Sequence, residues 1–155
     1  MGLWDKVKGA VQAMTGGGAT VTVTVGEATI GRPFTVNVEA TGKADIELSA
    51  VYVVVRANEF ADVRDVDYQH AEGWHRIDYI EATHETFKQR FDIASGCTLS
   101  DGETRTWSGE ICIPESANPS FDGEMIAHRW VLMAALDAYG NDPDSGWQEF
   151  KIWDA

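Results

Sequence analysis

The chain is poor in cysteine, poor in positive charge and free of long apolar runs. Two cysteines in 155 residues, Cys97 and Cys112, leave no disulfide framework to stand in for a core. A chain of this length buries enough surface to fold without one. The two are expected on neighbouring strands, where a two-residue turn at Asp101-Gly102 sets Cys97 opposite Thr106 rather than Cys112. A bridge within that hairpin is thereby disfavoured, and both read as small buried apolar residues. Twelve Lys and Arg stand against 25 Asp and Glu, a formal net charge of −13. Such a surface repels phosphate backbones and anionic lipid, which argues against nucleic acid as a partner. No apolar stretch has the length of a membrane span, and none of h-region length follows the first lysines as a secretory signal requires. A reduced, cytoplasmic protein is the expectation.

Catalytic signatures are missing too. No serine sits in a G-x-S-x-G elbow, and no glycine-rich loop has Walker or Rossmann spacing. Cys97 and His128 offer a thiol and an imidazole, but both fall on strands expected to be packed. His70, His75 and His84 fit no zinc spacing, with neither H-x-x-x-H nor paired C-x-x-C nearby, and read as an exposed scatter. Asn141, Asp142 and Asp144 present hard oxygen ligands for calcium. The third acidic ligand and the distal Glu of a calcium loop are lacking, and Pro143 and Gly146 make a plain turn the better reading. The expectation is no enzyme, no cofactor and no metal.

What the sequence does have is periodicity. Leu3, Trp4, Val7, Val11 and Met14 recur at helical spacing, with Lys6, Lys8 and Gln12 on the other side, predicting an amphipathic helix over residues 1–15. Gly16-Gly17-Gly18 stops it. Over residues 20–155 the period is two. Val21, Val23 and Val25 alternate with threonines, and Phe34, Val36, Val38 and Ala40 repeat the pattern. Ile46, Leu48, Ala50, Tyr52 and Val54 are expected on one face of the longest strand, with Val51, Val53 and Val55 on the other. Phe87 to Ile93, Trp107 to Ile113, His128 to Leu136, and Phe150 with Ile152 supply further strands. At least seven short strands with turn signals between them predict an all-β, antiparallel, immunoglobulin-like sandwich.

Between Leu99 and Asp137 three patterns follow in order. Leu99-Ser100-Asp101-Gly102-Glu103 is a tight turn. A strand then ends in Ile111-Cys112-Ile113-Pro114. Pro119-Ser120-Phe121-Asp122-Gly123 follows, and then a strand from Arg129-Trp130 to Leu136-Asp137. This order resembles the arrestin-like β-sandwich, whose motif positions fall here on Leu99, Gly102, Glu103, Pro114, Pro119, Phe121, Gly123, Trp130, Leu136 and Asp137. Gly2-Leu3-Trp4-Asp5-Lys6-Val7-Lys8, the glycine break, and the ending through Asp142-Pro143-Asp144 resemble the bacterial and archaeal sporulation-control branch. The chain departs from the family at Val25 to Gly31, where a Pro-Gly-Glu turn is usual, at His128, where an aliphatic residue is usual, and in having length for one sandwich where two in tandem are usual. The resemblance implies a non-enzymatic adaptor or scaffold, in sporulation or stress regulation, acting on protein partners.

Two regions are candidate partner surfaces. Leu3 and Trp4 lead the N-terminal helix. Its two lysines on so acidic a body favour docking on the sandwich or on a second copy over peripheral membrane contact. Asn58 to Thr86 reads as a long loop mixing acids with Tyr68, Trp74 and Tyr79, which offer contact area, although Asp78 to Ala82 also has the pattern of a strand. Free sheet edges add a route for strand addition and for a homodimer that replaces the missing second sandwich. The rival reading is a sandwich binding a small molecule, sugar or divalent ion at one end, with Trp74, Trp107 and Trp147 stacking on a ring.

Overall fold

The computed structural model describes residues 14–69 and 73–155, with side chains from residue 17 onward except those of residues 66–69, 75 and 76. The described residues form β1 (Met14–Gly16), β2 (Ala19–Val25), β3 (Ala28–Thr29), β4 (Phe34–Gly42), β5 (Ile46–Gln69) and β6 (Trp74–Leu99). They continue with β7 (Thr104–Ile111), β8 (Phe121–Asp122), β9 (Ile126–Ala138), β10 (Gln148–Phe150) and β11 (Ile152–Trp153). One antiparallel sheet runs β1-β2-β4-β7 and the other runs β10-β9-β5-β6, with β8 also paired to β9. A short parallel pair joins β11 to β3.

Alternation decides which face is buried. Val21, Val23, Val25, Phe34, Val36, Val38 and Ala40 all point into the core from the first sheet. The intervening threonines are half-buried, as a pleated strand with one covered face requires. From the second sheet come Val51, Val53, Val55 and Ala57 on β5 and Trp130, Leu132, Ala134 and Leu136 on β9. Trp130 is wholly buried, with the Phe87 ring at 5.2 Å and the Phe150 ring at 6.3 Å. Its indole N–H donates to the Asn118 carbonyl at 2.9 Å, so the one polar atom of the side chain is not stranded in the core.

The β5 face assignment needs correcting. The register against β9 slips between Leu48 and Ala50, a β-bulge that reverses the alternation. Leu48 and Val51 therefore both face the core, while Tyr52 and Val54 lie on the outer face.

The cysteine reading is corrected too. β6 and β7 lie in different sheets, because the turn after Leu99 crosses the sandwich instead of closing a hairpin. Cys97 stands opposite Leu48, and Cys112 follows β7 with an exposed side chain rather than a buried one.

The helix expected over residues 1–15, including Leu3 and Trp4, lies almost wholly outside the described residues. Its last part does not fit a helix: Met14 to Gly16 pair with Val21 to Ala19 as a strand.

The Leu99–Gly123 motifs prove to be fold hardware. Gly102 takes a positive φ of 76°, which favours glycine. Its N–H donates to the Gly42 carbonyl at 2.8 Å, and the Gly42 N–H donates to the Glu103 carbonyl at 2.9 Å. Glu103 Oε2 accepts the Ser100 N–H at 2.8 Å and Oε1 takes Arg105 at 2.6 Å. Those donors hold its carboxyl below the usual carboxylate range, the Ser100 N–H first and Arg105 next. The Pro119–Gly123 segment is a strap over the sheet edge. The Ser120 N–H donates to the Ile152 carbonyl at 2.9 Å, and Ser120 Oγ accepts the Ile152 N–H at 3.0 Å.

Candidate interaction surface

Asn58–Gln69 and Trp74–Thr86 are strands rather than the expected loop. Valine, isoleucine and aromatic residues recur through both halves, and the backbone pairs from Ile46↔Leu99 out to Gln69↔Trp74 as a single long hairpin. β9 accompanies it only as far as Ala61↔Ile126. Beyond that point the two strands continue as an arm of eight residues per strand, about 26 Å at strand rise. At its root the Asp62 N–H donates to the Met125 carbonyl at 2.8 Å, tying the arm to the turn before β9.

The register sorts the arm's residues by face, because directly opposed residues share one. Ile126, Ala61 and Ala82 form one row, Val63 and Ile80 the next, Asp65 and Asp78 the next. This face continues the core face of the sheet. The other face carries Asp62 with Glu81 and Arg64 with Tyr79.

Of the expected partner residues, Tyr79 is 69% exposed and Trp74 44% exposed, and the register puts them on opposite faces. Tyr68 holds the backbone position opposite His75. Sequence reading missed Ile80, Met125 and Ile126, all exposed, and kept Phe121 only as a motif residue although it too is exposed. The alternation of Asp78 to Ala82 was the available signal for Ile80. Which side of the ladder lacks a covering sheet was not readable from it.

A hollow of about 240 Å³ lies at the root, lined by Phe60, Asp62 and the Gly123–Ala127 turn with Arg129. A second, about 530 Å³ and open, lies at the opposite end between Glu47–Ser49 and Asp137–Gly140.

The rest of the outer face is occupied by its own side chains. The Arg90 guanidinium lies 3.8 Å from the Tyr52 ring centroid, Arg56 4.5 Å from that of Trp147, and Arg129 5.6 Å from that of Phe60. Arg90 also pairs with Asp92 at 3.0 Å and Asp137 at 3.1 Å. The Tyr52 hydroxyl donates to Asp142 Oδ2 at 2.7 Å. Burial first, and this bond next, push the phenol from its ordinary 10.0 up to about 12.

The remaining candidates are separated. Trp74 is on the arm, Trp107 packs against the core from β7, and Trp147 lies over Arg56, so no aromatic trio assembles for a sugar ring. Asp142 and Asp144 bind the turn's own donors, Ala138 N–H at 3.2 Å and Gly146 N–H at 2.7 Å.

Cys97 sits by Leu48 and His128 by Glu59 on the same strand, about 36 Å apart along it, so they form no dyad. His128 is buried. Its Nδ1 donates to the Pro119 carbonyl at 2.9 Å, and in the neutral ring Nε2 accepts the Thr86 hydroxyl at 2.7 Å. This explains a histidine where the resemblance leads one to expect an aliphatic residue: it pins the strap to the root of the arm.

No helix among the described residues is long and apolar enough to cross a membrane.

No protein-family model matches the chain, and no curated protein matches it in sequence. Among solved structures it is similar to Spo0M, the sporulation control protein from Bacillus subtilis, with a TM-score of 0.56 and 16% identity over 88% of this chain. The chain spans 50% of that protein's length. At that identity the similarity shows a shared fold, two antiparallel sheets around one core, over most of this chain.

Proposed function

We propose that this chain is a non-enzymatic recognition module, an arrestin-like adaptor or scaffold that captures protein partners on its hairpin arm. One observation carries the reading. Of the ten large apolar side chains exposed among the described residues, seven lie on the arm or at its root: Trp74, Ile77, Tyr79, Ile80, Phe121, Met125 and Ile126. Apolar groups concentrated on one projecting arm and its root, over both faces of the ladder, favour a macromolecular partner over scattered surface chance. Acidic residues interleaved along the same strands keep the free edge of β6 from pairing indiscriminately. The similarity to a sporulation control protein supports a regulatory rather than a metabolic role, and a cytoplasmic location belongs to the same proposal.

The test is affinity capture of the tagged chain from its native cytosol after light crosslinking, beside an Ile80→Asp variant. A stoichiometric partner retained by the wild-type chain and lost by a variant of unchanged melting temperature is the expected result. Equal capture by both would remove the arm from the account.

A further inference from the structure

Among the described residues, no second sheet covers the face of the arm that continues the core. On β5 the inward positions run Ala57, Glu59, Ala61, Val63, Asp65. Ala57 is fully buried, whereas Ile80 and Ile126, cross-strand neighbours of Val63 and Ala61, are 53% and 46% exposed. The result is a short apolar strip with acid at both ends, Glu59 toward the sandwich and Asp65 toward the tip. Glu59 to Asp65 spans six residue steps, about 20 Å of strand.

Resting on the reading of the arm as a partner surface, we propose that this strip receives a cationic amphipathic segment of a protein partner. Its apolar side would lie on Val63, Ile80 and Ile126, and its Lys or Arg residues would reach the carboxylates at either end. Charge selects this occupant. A second copy laid face to face on the strip by a two-fold axis brings Glu59 and Asp65 against an equally acidic surface. Anionic lipid meets the same carboxylates on a chain of net charge −13. A cationic segment instead gains both apolar burial and opposite charge. A helix covering 20 Å has about 13 residues, and this sets the size of the probe.

The experiment titrates the full chain with an amidated Lys/Leu amphipathic peptide of about 14 residues, and separately with its Glu/Leu counterpart, by calorimetry. Substitutions that keep charge constant separate this strip from general attraction to an acidic body. The expected result is one-to-one binding of the Lys/Leu peptide only, weakened about tenfold or more by Ile80→Ser and by Ile126→Ser. Ile77→Ser, on the other face of the arm, should leave it unchanged.

Equal weakening by Ile77→Ser, no effect of Ile80→Ser, or binding of both peptides would overturn the proposal. Self-association seen by sedimentation and abolished by Ile80→Ser would overturn it in favour of a second copy. A natural partner captured through the arm by a chain that ignores the Lys/Leu peptide would overturn the stated chemistry and leave the arm's role standing. Loss of partner capture altogether would instead strike the underlying reading.

Discussion

The Tyr52 hydroxyl donates to Asp142 Oδ2 across 2.7 Å, joining the outer face of β5 to the turn after β9. The phenol is raised to about 12 by burial first and by this bond second. A group whose folded pKa is raised stabilises the fold fully below its unfolded value and loses that contribution as pH rises through the folded one. Stability from Tyr52 should be complete below about pH 10 and decline toward pH 12. Absorbance titration near 295 nm should show a late tyrosine phase, above the ordinary 10.0. Tyr52→Phe should remove that late phase and lower alkaline stability less steeply with pH than in the wild type.

Glu103 gives the opposite sign. Its carboxyl is held low by the Ser100 N–H and by Arg105, so its contribution is present above the ordinary carboxylate range and lost as pH falls through the depressed value. Glu103→Gln should melt below the wild type at pH 7, and the gap should close in strong acid. Paired thermal melts at the two pH values measure this. A constant gap would mean that side-chain shape rather than charge holds the turn.

Trp130 is wholly buried and its indole N–H is bonded, so Trp130→Ala leaves both a cavity and an orphaned carbonyl. The expected loss is about 3–5 kcal/mol, read from urea unfolding. Tyr139→Ala, at a fully exposed position, should change stability by less than about 0.5 kcal/mol.

The core was legible because one-sided burial writes a period of two: Val21, Val23 and Val25, or Trp130, Leu132 and Leu136, announce their face directly. Glycine and proline punctuation also marked a turn at Leu99–Glu103 and a connection at Pro119–Gly123, without showing what either one joins. Three things were not legible. The bulge near Ser49 reverses the alternation of β5 without changing residue type, so Val51 rather than Tyr52 faces inward. Thr104 follows Leu99 closely enough to imitate a hairpin, and only the pairing of β7 with β4 shows that the chain has changed sheets. The arm looked like a loop because its acids break the apolar pattern, yet backbone pairing carries the ladder where no core supports it.

The central claim, that the arm is where partners bind, is tested most directly by placing a photo-crosslinking amino acid at Ala82, on the Ile80 face of the ladder, and in a parallel sample at Thr106 on the outer face of the other sheet, in cells of the native source. The account predicts a recurrent protein adduct from position 82, absent from position 106 and lost on Ile80→Asp. Adducts of the same proteins from both positions, or a persistent adduct in the Ile80→Asp chain, would contradict it.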